Sequence, residues 1–480
     1  MSDRPFADAT ERFLAVERAF DLLDEPFGEG VHAWERVRFD AHQSLLYGLG
    51  LIGEPHAGPG QSTRERLAAI VRSLAVENPF RLGSRDVLVW GHERRKQRPD
   101  GLWWDVYCDP VLADTDWEYA YLESPHEGGH LRPARTDHVG RTDLIDNAPG
   151  IYERLRDPEA LLSSAGRELL DTVDERFVDE FGVDLDVRGR VTRALAVRRG
   201  KLPLLRRLLD RVNPAVALVV TSYTKHAFIE ACQERGVPVA ELQHGNVSPY
   251  HLGYHYPDGG ARTVPDYLLT FGEAWSDFAA LPQPPDRVLP VGYPYLEAEH
   301  ERVVTSATPD DPVVPGKSVV VVSQGTAGPR LAEAAVELAE TVERPVVYKL
   351  HPGEYSRWRD AYPALADAAE ADTLRVVGGE PALYELFAAA DAQVGVYSTA
   401  LYEGLAFGLD TYLLAAPGVE YMDRLVEAGV AVRREDVAGL ATAIEEARAG
   451  GTFDHEQFFR PDALAHVRRA VERLRANPYR

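Results

Sequence analysis

The 480-residue sequence predicts an α/β fold of two domains, each built on a doubly wound parallel sheet, and three observations carry that expectation. The chain is longer than one hydrophobic core usually organises. Apolar runs of strand length alternate with helical patterns from Pro214 onward, and the alternation resumes after residues 300–317, a segment rich in Pro, Asp, Ser and Thr. Polar groups follow directly on several of the apolar runs, and the ends of strands are where open α/β sheets bind ligands.

Taken in order, residues 13–23 and 34–51 carry apolar positions at three-and-four spacing and read as amphipathic helices, with a third over 63–74. Strands are expected at DVLVWGH (86–92), WWDVYCD (103–109) and YAYLES (119–124). Residues 150–210 return to a helical pattern, so the N-terminal half reads as an α/β sheet with helical insertions. From Pro214 the order is strand 215–222, helix 225–235, strand 237–243, strand 266–271, a short helix from Glu273 and strand 287–293. Beyond the Pro-rich segment, strands at 318–324, 345–351, 374–378, 392–397 and 410–416 alternate with helices near 330–340, 382–389, 399–407 and 437–447, and a last helix covers 462–476. This divides the chain into domains at 1–300 and 318–480, joined by a linker at 301–317.

Composition narrows the function. Hydrophobic residues make up 45% and charged residues 27%, as in ordinary globular proteins, but the net charge is −24. Lysine is confined to Lys96, Lys201, Lys225, Lys317 and Lys349. An acidic, lysine-poor surface suits high salt, where screening removes most self-repulsion; a GC-rich genome would exchange Lys for Arg without producing 76 acids against 52 bases. Such a surface repels nucleic acid, which excludes a general nucleic-acid binder. Cys108 and Cys232 lie in no zinc-ligand spacing and imply a reduced, cytoplasmic protein without disulfides. No leader pattern and no long apolar run occur, so a soluble protein is expected, at most peripheral to the inner face of a membrane.

The strand ends hold the candidate site. In YKLHPGEY (348–355), Lys349, His351 and Pro352 fall where the chain leaves the sheet, and a cation beside an imidazole suits a phosphate. In YSTALYEGLAFG (397–408), Ser398 or Thr399 stands at a helix N-cap, where hydroxyls and open N–H groups hold oxyanions, and Glu403 one turn on can reach a ribose diol. Upstream, VAELQHGNVSPY (239–250) delivers Gln243, His244 and Gly245 to a turn, where an imidazole can contact a phosphate or serve as general acid or base. Ser323, Gln324 and Gly325, after the run 319–322, are candidate walls of the same nucleotide pocket, since a glycine turn lets backbone N–H groups approach a phosphate.

The order Gln243-His244-Gly245, then Lys349-x-His351-Pro352, then Ser398-Thr399-x-x-x-Glu403-Gly404 resembles the two-domain GT-B glycosyltransferases of surface-polysaccharide synthesis. That group includes polysialyltransferases, capsule transferases and CDP-glycerol glycerophosphotransferases, and UDP-N-acetylglucosamine 2-epimerases share the fold. The likeness covers residues 213–450. It implies two Rossmann-like domains facing a cleft, an acceptor side at 1–300, a nucleotide-donor side at 318–480 and a final helix that crosses back. It also implies an active-site role for His244. The expected reaction moves a sugar or sugar-like group from a nucleotide donor to a glycan or lipid-linked acceptor, with no cofactor beyond that donor. No Asp-x-Asp motif stands at a suitable strand end, so no obligatory metal is expected. A 2-epimerase and a non-catalytic nucleotide-sugar-binding protein are the alternatives.

Two further segments carry candidates. SPHEGGHLRP (124–133) contains a formal His-Glu-x-x-His, but its glycines and prolines oppose the helix a zinc protease needs. A flexible loop is expected there instead, with Glu127 a candidate base on the acceptor side. Residues 188–211 gather eight arginines and Lys201 against Asp210 alone, which reads either as a helix paired with acids of the same molecule or as a docking surface for anionic or phosphorylated lipid.

Overall fold

The computed structural model describes residues 4–53, 62–93, 95–306, 317–325, 327–446 and 454–476. The chain forms two compact units, one gathering Arg12–Leu45, Ala57–Tyr295 and Arg460–Arg480, the other Met1–Glu11, Leu46–His56 and Leu296–Phe459. Each is Rossmann-like, built on one wholly parallel sheet.

In the first unit, β1 (Val87–Trp90), β2 (Tyr119–Glu123), β3 (Val139–Arg141), β4 (Val216–Val219), β5 (Val239–Leu242), β6 (Tyr267–Thr270) and β7 (Val288–Pro290) lie in the order β3-β2-β1-β4-β5-β6-β7. Strands covered on both faces are apolar at most positions, which is why they read as near-continuous apolar runs. Val87, Val89, Val216 and Leu218 pack on one face against Val467, Val471 and Leu474 of the helix Ala463–Ala476. Leu88, Trp90, Ala217 and Val219 pack on the other against Leu205 and Leu209 of the helix Val187–Val212 and Phe228 of the helix His226–Gln233.

In the second unit, β8 (Ser318–Val322), β9 (Val346–Lys349), β10 (Arg375–Val377), β11 (Ala390–Gly395), β12 (Asp410–Leu414) and β13 (Ala431–Arg434) lie in the order β10-β9-β8-β11-β12-β13. In both sheets the order reverses beside the first strand, and a crevice opens at the carboxyl ends of the strands where that happens. For the second sheet it falls between β8 and β11, and for the first between β1 and β4.

Several expectations need correction. Of WWDVYCD, only Trp103–Trp104 is extended, paired with Lys96–Gln97 in a short ribbon. Asp105 and Asp109 fold the rest into turns: Asp105 Oδ1 accepts the Tyr107 N–H at 2.9 Å, and Asp109 Oδ2 accepts the Asp105 N–H at 2.7 Å. The start of the expected linker is the end of a helix, Pro294–Ser306, and its residues 307–316 lie outside the described residues. The His-Glu-x-x-His segment is a tight hairpin rather than a flexible loop: His126 and Gly129 exchange both backbone hydrogen bonds at 2.9 Å, and Glu127 and Gly128 both take positive φ, 48° and 80°. That is the mirror-image turn favoured in two-residue hairpins, and it precludes a helix.

The basic segment is helical over Val187–Val212, and most of its charge is neutralised within the first unit. Arg188 pairs with Glu159 and Asp171, Arg190 with Asp40, Arg198 with Glu230, Arg199 with Glu29, Lys201 with Asp146 and Arg206 with Glu234. Among the described residues no helix is long and apolar enough to cross a membrane.

Candidate functional site

In the second unit, hydrogen bonds tie the loops at neighbouring strand ends into one surface. Gln324, after β8, accepts the backbone N–H of Tyr397, after β11, at 3.3 Å, which bridges the point of order reversal. Gly325 sits against His351, so that a Cβ there would stand 3.6 Å from the ring Nδ1. His351 caps a short turn over Pro352–Glu354: its Nδ1 accepts the Gly353 N–H at 3.2 Å, which leaves the proton of a neutral ring on Nε2. A donor at that place is suited to a phosphate oxygen.

Glu354, which the sequence reading passed over, is the hub of this surface. It is fully buried and accepts from Ser323 Oγ at 3.0 Å, Tyr362 Oη at 2.7 Å and the His351 N–H at 2.7 Å. Ser323 therefore turns its hydroxyl into the network and fixes the loop that carries Gln324 and Gly325. Gly328 is required by the same packing: a Cβ there would lie 2.4 Å from Glu354 Oε1 and 2.2 Å from Tyr362 Oη. The signal was legible as a capping box, with Pro352 at the first position of the turn and Glu354 three residues after the cap.

Lys349 ends β9, and its Nζ donates to the carbonyls of Gly378, Gly379 (3.2 Å) and Pro381 (2.8 Å) in the loop after β10. Its charge stands at the strand ends, but a direct phosphate contact requires giving up one of these bonds. Ser398 caps the helix Thr399–Ala406, accepting the Ala400 N–H at 3.2 Å; such a cap is typically worth ~1 kcal/mol. Glu403 accepts from Tyr384 Oη at 2.9 Å, a bond that orients the carboxylate. Gly404 lets the helix close on β11, since a Cβ there would lie 2.2 Å from Gln393 Oε1. The structure thus brings Gln324, Gly325, His351, Ser398 and Thr399 to adjoining strand ends, with Ser323 and Lys349 beneath as supports.

His244 and Glu127 belong to the first unit. His244, two residues beyond β5, lies between two tyrosines: Tyr254 Oη is 3.1 Å from Nδ1 and Tyr223 Oη 3.2 Å from Nε2. Tyr254 donates to Glu241 Oε1 at 2.8 Å, so its oxygen is left to accept from Nδ1, and Nε2 accepts from Tyr223. Burial, with His92, His251 and Lys225 nearby, holds His244 well below the usual histidine pKa, so the ring is neutral at physiological pH. Glu241 is buried in the middle of β5, also accepts the Ser222 N–H at 2.9 Å, and has its pKa raised by burial. An acid inside a strand covered on both faces was itself a sequence signal, because an unpartnered charge there is too costly to keep. Thr221, beside the crevice, takes φ 57°, an uncommon conformation for a β-branched residue.

Glu127 is exposed at the tip of its hairpin, and among the described residues no hydrogen bond joins it to the other candidates. His130 is instead the structural residue of that segment, bridging Glu123 and Asp143 Oδ2. Burial opposes its charge, but the bonds to Asp143 and Glu123 win and raise its pKa. Its contribution to stability is therefore complete below the ordinary histidine value of about 6.5 and lost as pH rises through the raised one. Urea denaturation of wild type and His130→Gln should show the stability gap narrowing as pH rises from about 6 to about 9; a gap constant over that range would contradict the charged bridge.

No family model matches the chain, and no curated protein matches it. Among solved structures it is similar to the Methanocaldococcus jannaschii UDP-GlcNAc 2-epimerase in complex with UDP-GlcNAc and UDP, at 11% identity and a TM-score of 0.47 over 81% of this chain and 99% of that one. It is also similar to a putative UDP-N-acetylglucosamine 2-epimerase from Listeria monocytogenes, at 12% identity and a TM-score of 0.49 over 81% and 96%. A third likeness is to Acinetobacter baumannii MurG, at 10% identity and a TM-score of 0.43 over 81% and 99%.

Proposed function

We propose that the chain is a nucleotide-sugar-dependent glycosyltransferase whose donor nucleotide sits at the order reversal of the second sheet. The observation that carries this reading is the joining of the loops after β8, β9 and β11 at one crevice, with the Gln324–Tyr397 bond across it. His351 Nε2 and the helix start at Ser398 and Thr399 hold the diphosphate, Lys349 adds its charge from below, and Glu403 takes the ribose hydroxyls. Their chemical task is to stabilise the charge that develops on the departing nucleotide phosphate, which preorganised donors achieve without a metal. His244 is the catalytic group this reading assigns to the first unit, a neutral imidazole held by Tyr254 and Tyr223. The acceptor is a glycan or a lipid-linked glycan.

Incubation with a donor, with and without acceptors, tests the reaction. Free nucleotide that appears only when an acceptor is supplied, and persists in EDTA, is the expected result. A donor converted to its sugar epimer without acceptor would replace transfer by 2-epimerisation. Tight nucleotide binding with neither product would mark a binding protein.

A further inference from the structure

Beside the order reversal of the first sheet lies a cavity of about 370 Å³, within the range of small-molecule sites. Trp90, Val197, Leu205 and Phe228 give it apolar walls. Arg36, Arg190, Arg193, Lys201 and Lys225 also line it, an unusual concentration of positive charge in a chain with net charge −24. Arg190 and Lys201 are neutralised by Asp40 and Asp146. Three positive groups are not fully answered. Arg193 is exposed and has no ion pair or hydrogen bond among the described residues. Arg36 pairs with Glu230, which it shares with Arg198, and donates to Thr263 Oγ1 at 3.3 Å; its side chain is 7% exposed, and among the described residues its buried Nε has no hydrogen-bond partner. Among the described residues Lys225 donates to neutral oxygens, Val220 O at 2.6 Å and Thr221 Oγ1 at 2.9 Å, and burial lowers its pKa to about 8 even though Glu93, Glu241 and Asp146 favour its charge from nearby. An anion in the cavity would be attracted by the positive charge of all three, since each lines it.

We propose that this cavity binds a phosphate monoester bearing an apolar group, with the phosphate at Arg36, Arg193 and Lys225 and the apolar group against Trp90, Leu205 and Phe228. Tyr223 also lines the cavity, and its hydroxyl donates to His244, so the occupant lies one side chain from that imidazole. That the occupant is the acceptor rests on the transferase reading; that the cavity binds it does not.

Titration calorimetry with octyl phosphate, below its micelle-forming concentration, tests the site against inorganic phosphate and octanol. One octyl phosphate should bind per chain, at least about tenfold more tightly than either control. Arg193→Glu should weaken it by about tenfold or more, and Ala194→Trp, which fills the cavity, should abolish it while circular dichroism shows both variants folded. Binding of octyl phosphate no tighter than octanol, or undiminished in both variants, would overturn the proposal. Nucleotide binding, read separately in Ala194→Trp, should persist; its absence from wild type as well would fault the donor assignment and leave this cavity standing.

Discussion

Arg38→Met is expected to lower the unfolding free energy by about 3–5 kcal/mol, the usual cost of leaving one member of a buried ion pair alone. Arg38 and Glu17 are almost wholly buried, and the guanidinium grips the carboxylate with two bonds of 2.8 Å. Its Nη1 donates to Leu252 O at 2.6 Å and His255 O at 2.8 Å, so the same side chain pins the loop that carries Tyr254 against His244. Trp34 Nε1 adds a third bond to Glu17, at 2.5 Å. Equilibrium urea denaturation measures the loss, and Arg38→Met combined with Glu17→Leu should recover a large part of it because no charge then stays buried alone. A single variant within about 1 kcal/mol of wild type would contradict the account of this pair.

The second large effect is expected at Glu354. Replacement by Ala strands Ser323 Oγ, Tyr362 Oη and the His351 N–H, and a lost hydrogen bond to a charged group is worth about 1.5–3 kcal/mol, so a destabilisation of about 3 kcal/mol or more follows. Nucleotide affinity should fall with it, since the loops after β8 and β9 lose their common anchor. Glu354→Gln keeps the volume but sets an amide N–H₂ against at least one of the donors, and should lie between wild type and Ala in both melting temperature and affinity. Full affinity in Glu354→Ala would mean that the buried network does not position the site.

These effects depend on partners far apart in sequence, and that marks the limit of what could be read beforehand. The strands β1, β4, β5, β8, β9 and β12 were legible because coverage on both faces favours near-continuous apolar runs. The edge strands Val139–Arg141 and Ala431–Arg434 were not, because they are short and only partly buried. WWDVYCD is rich in strand-forming aromatic and β-branched residues, yet its aspartates bond to nearby backbone N–H groups and win the segment for turns. The helix Pro294–Ser306, with its proline at the first position, was not placed from the sequence at all.

Within the candidate site, strand ends marked His351, Ser398 and Gln324 because chain position alone puts them there. Glu354, Tyr223 and Tyr254 act across space, through bonds that no local spacing announces, although the capping pattern at His351–Glu354 was present to be read. The reach of Lys349 to the loop after β10 follows from β9 and β10 being neighbours, which becomes visible only once the strand order is known.

The central claim is that a nucleotide occupies the crevice of the second sheet. The most direct test is a thermal-shift panel in molar KCl with CMP, CDP, UDP, GDP and their sugar conjugates, on wild type, His351→Ala and Glu403→Ala. A ligand at a hundredfold over its dissociation constant adds about 2.7 kcal/mol to the folded state, a clearly measurable rise in melting temperature. The account predicts a rise for one nucleotide family that is lost or much reduced in both variants. No rise for any nucleotide, or an equal rise in all three proteins, would contradict it.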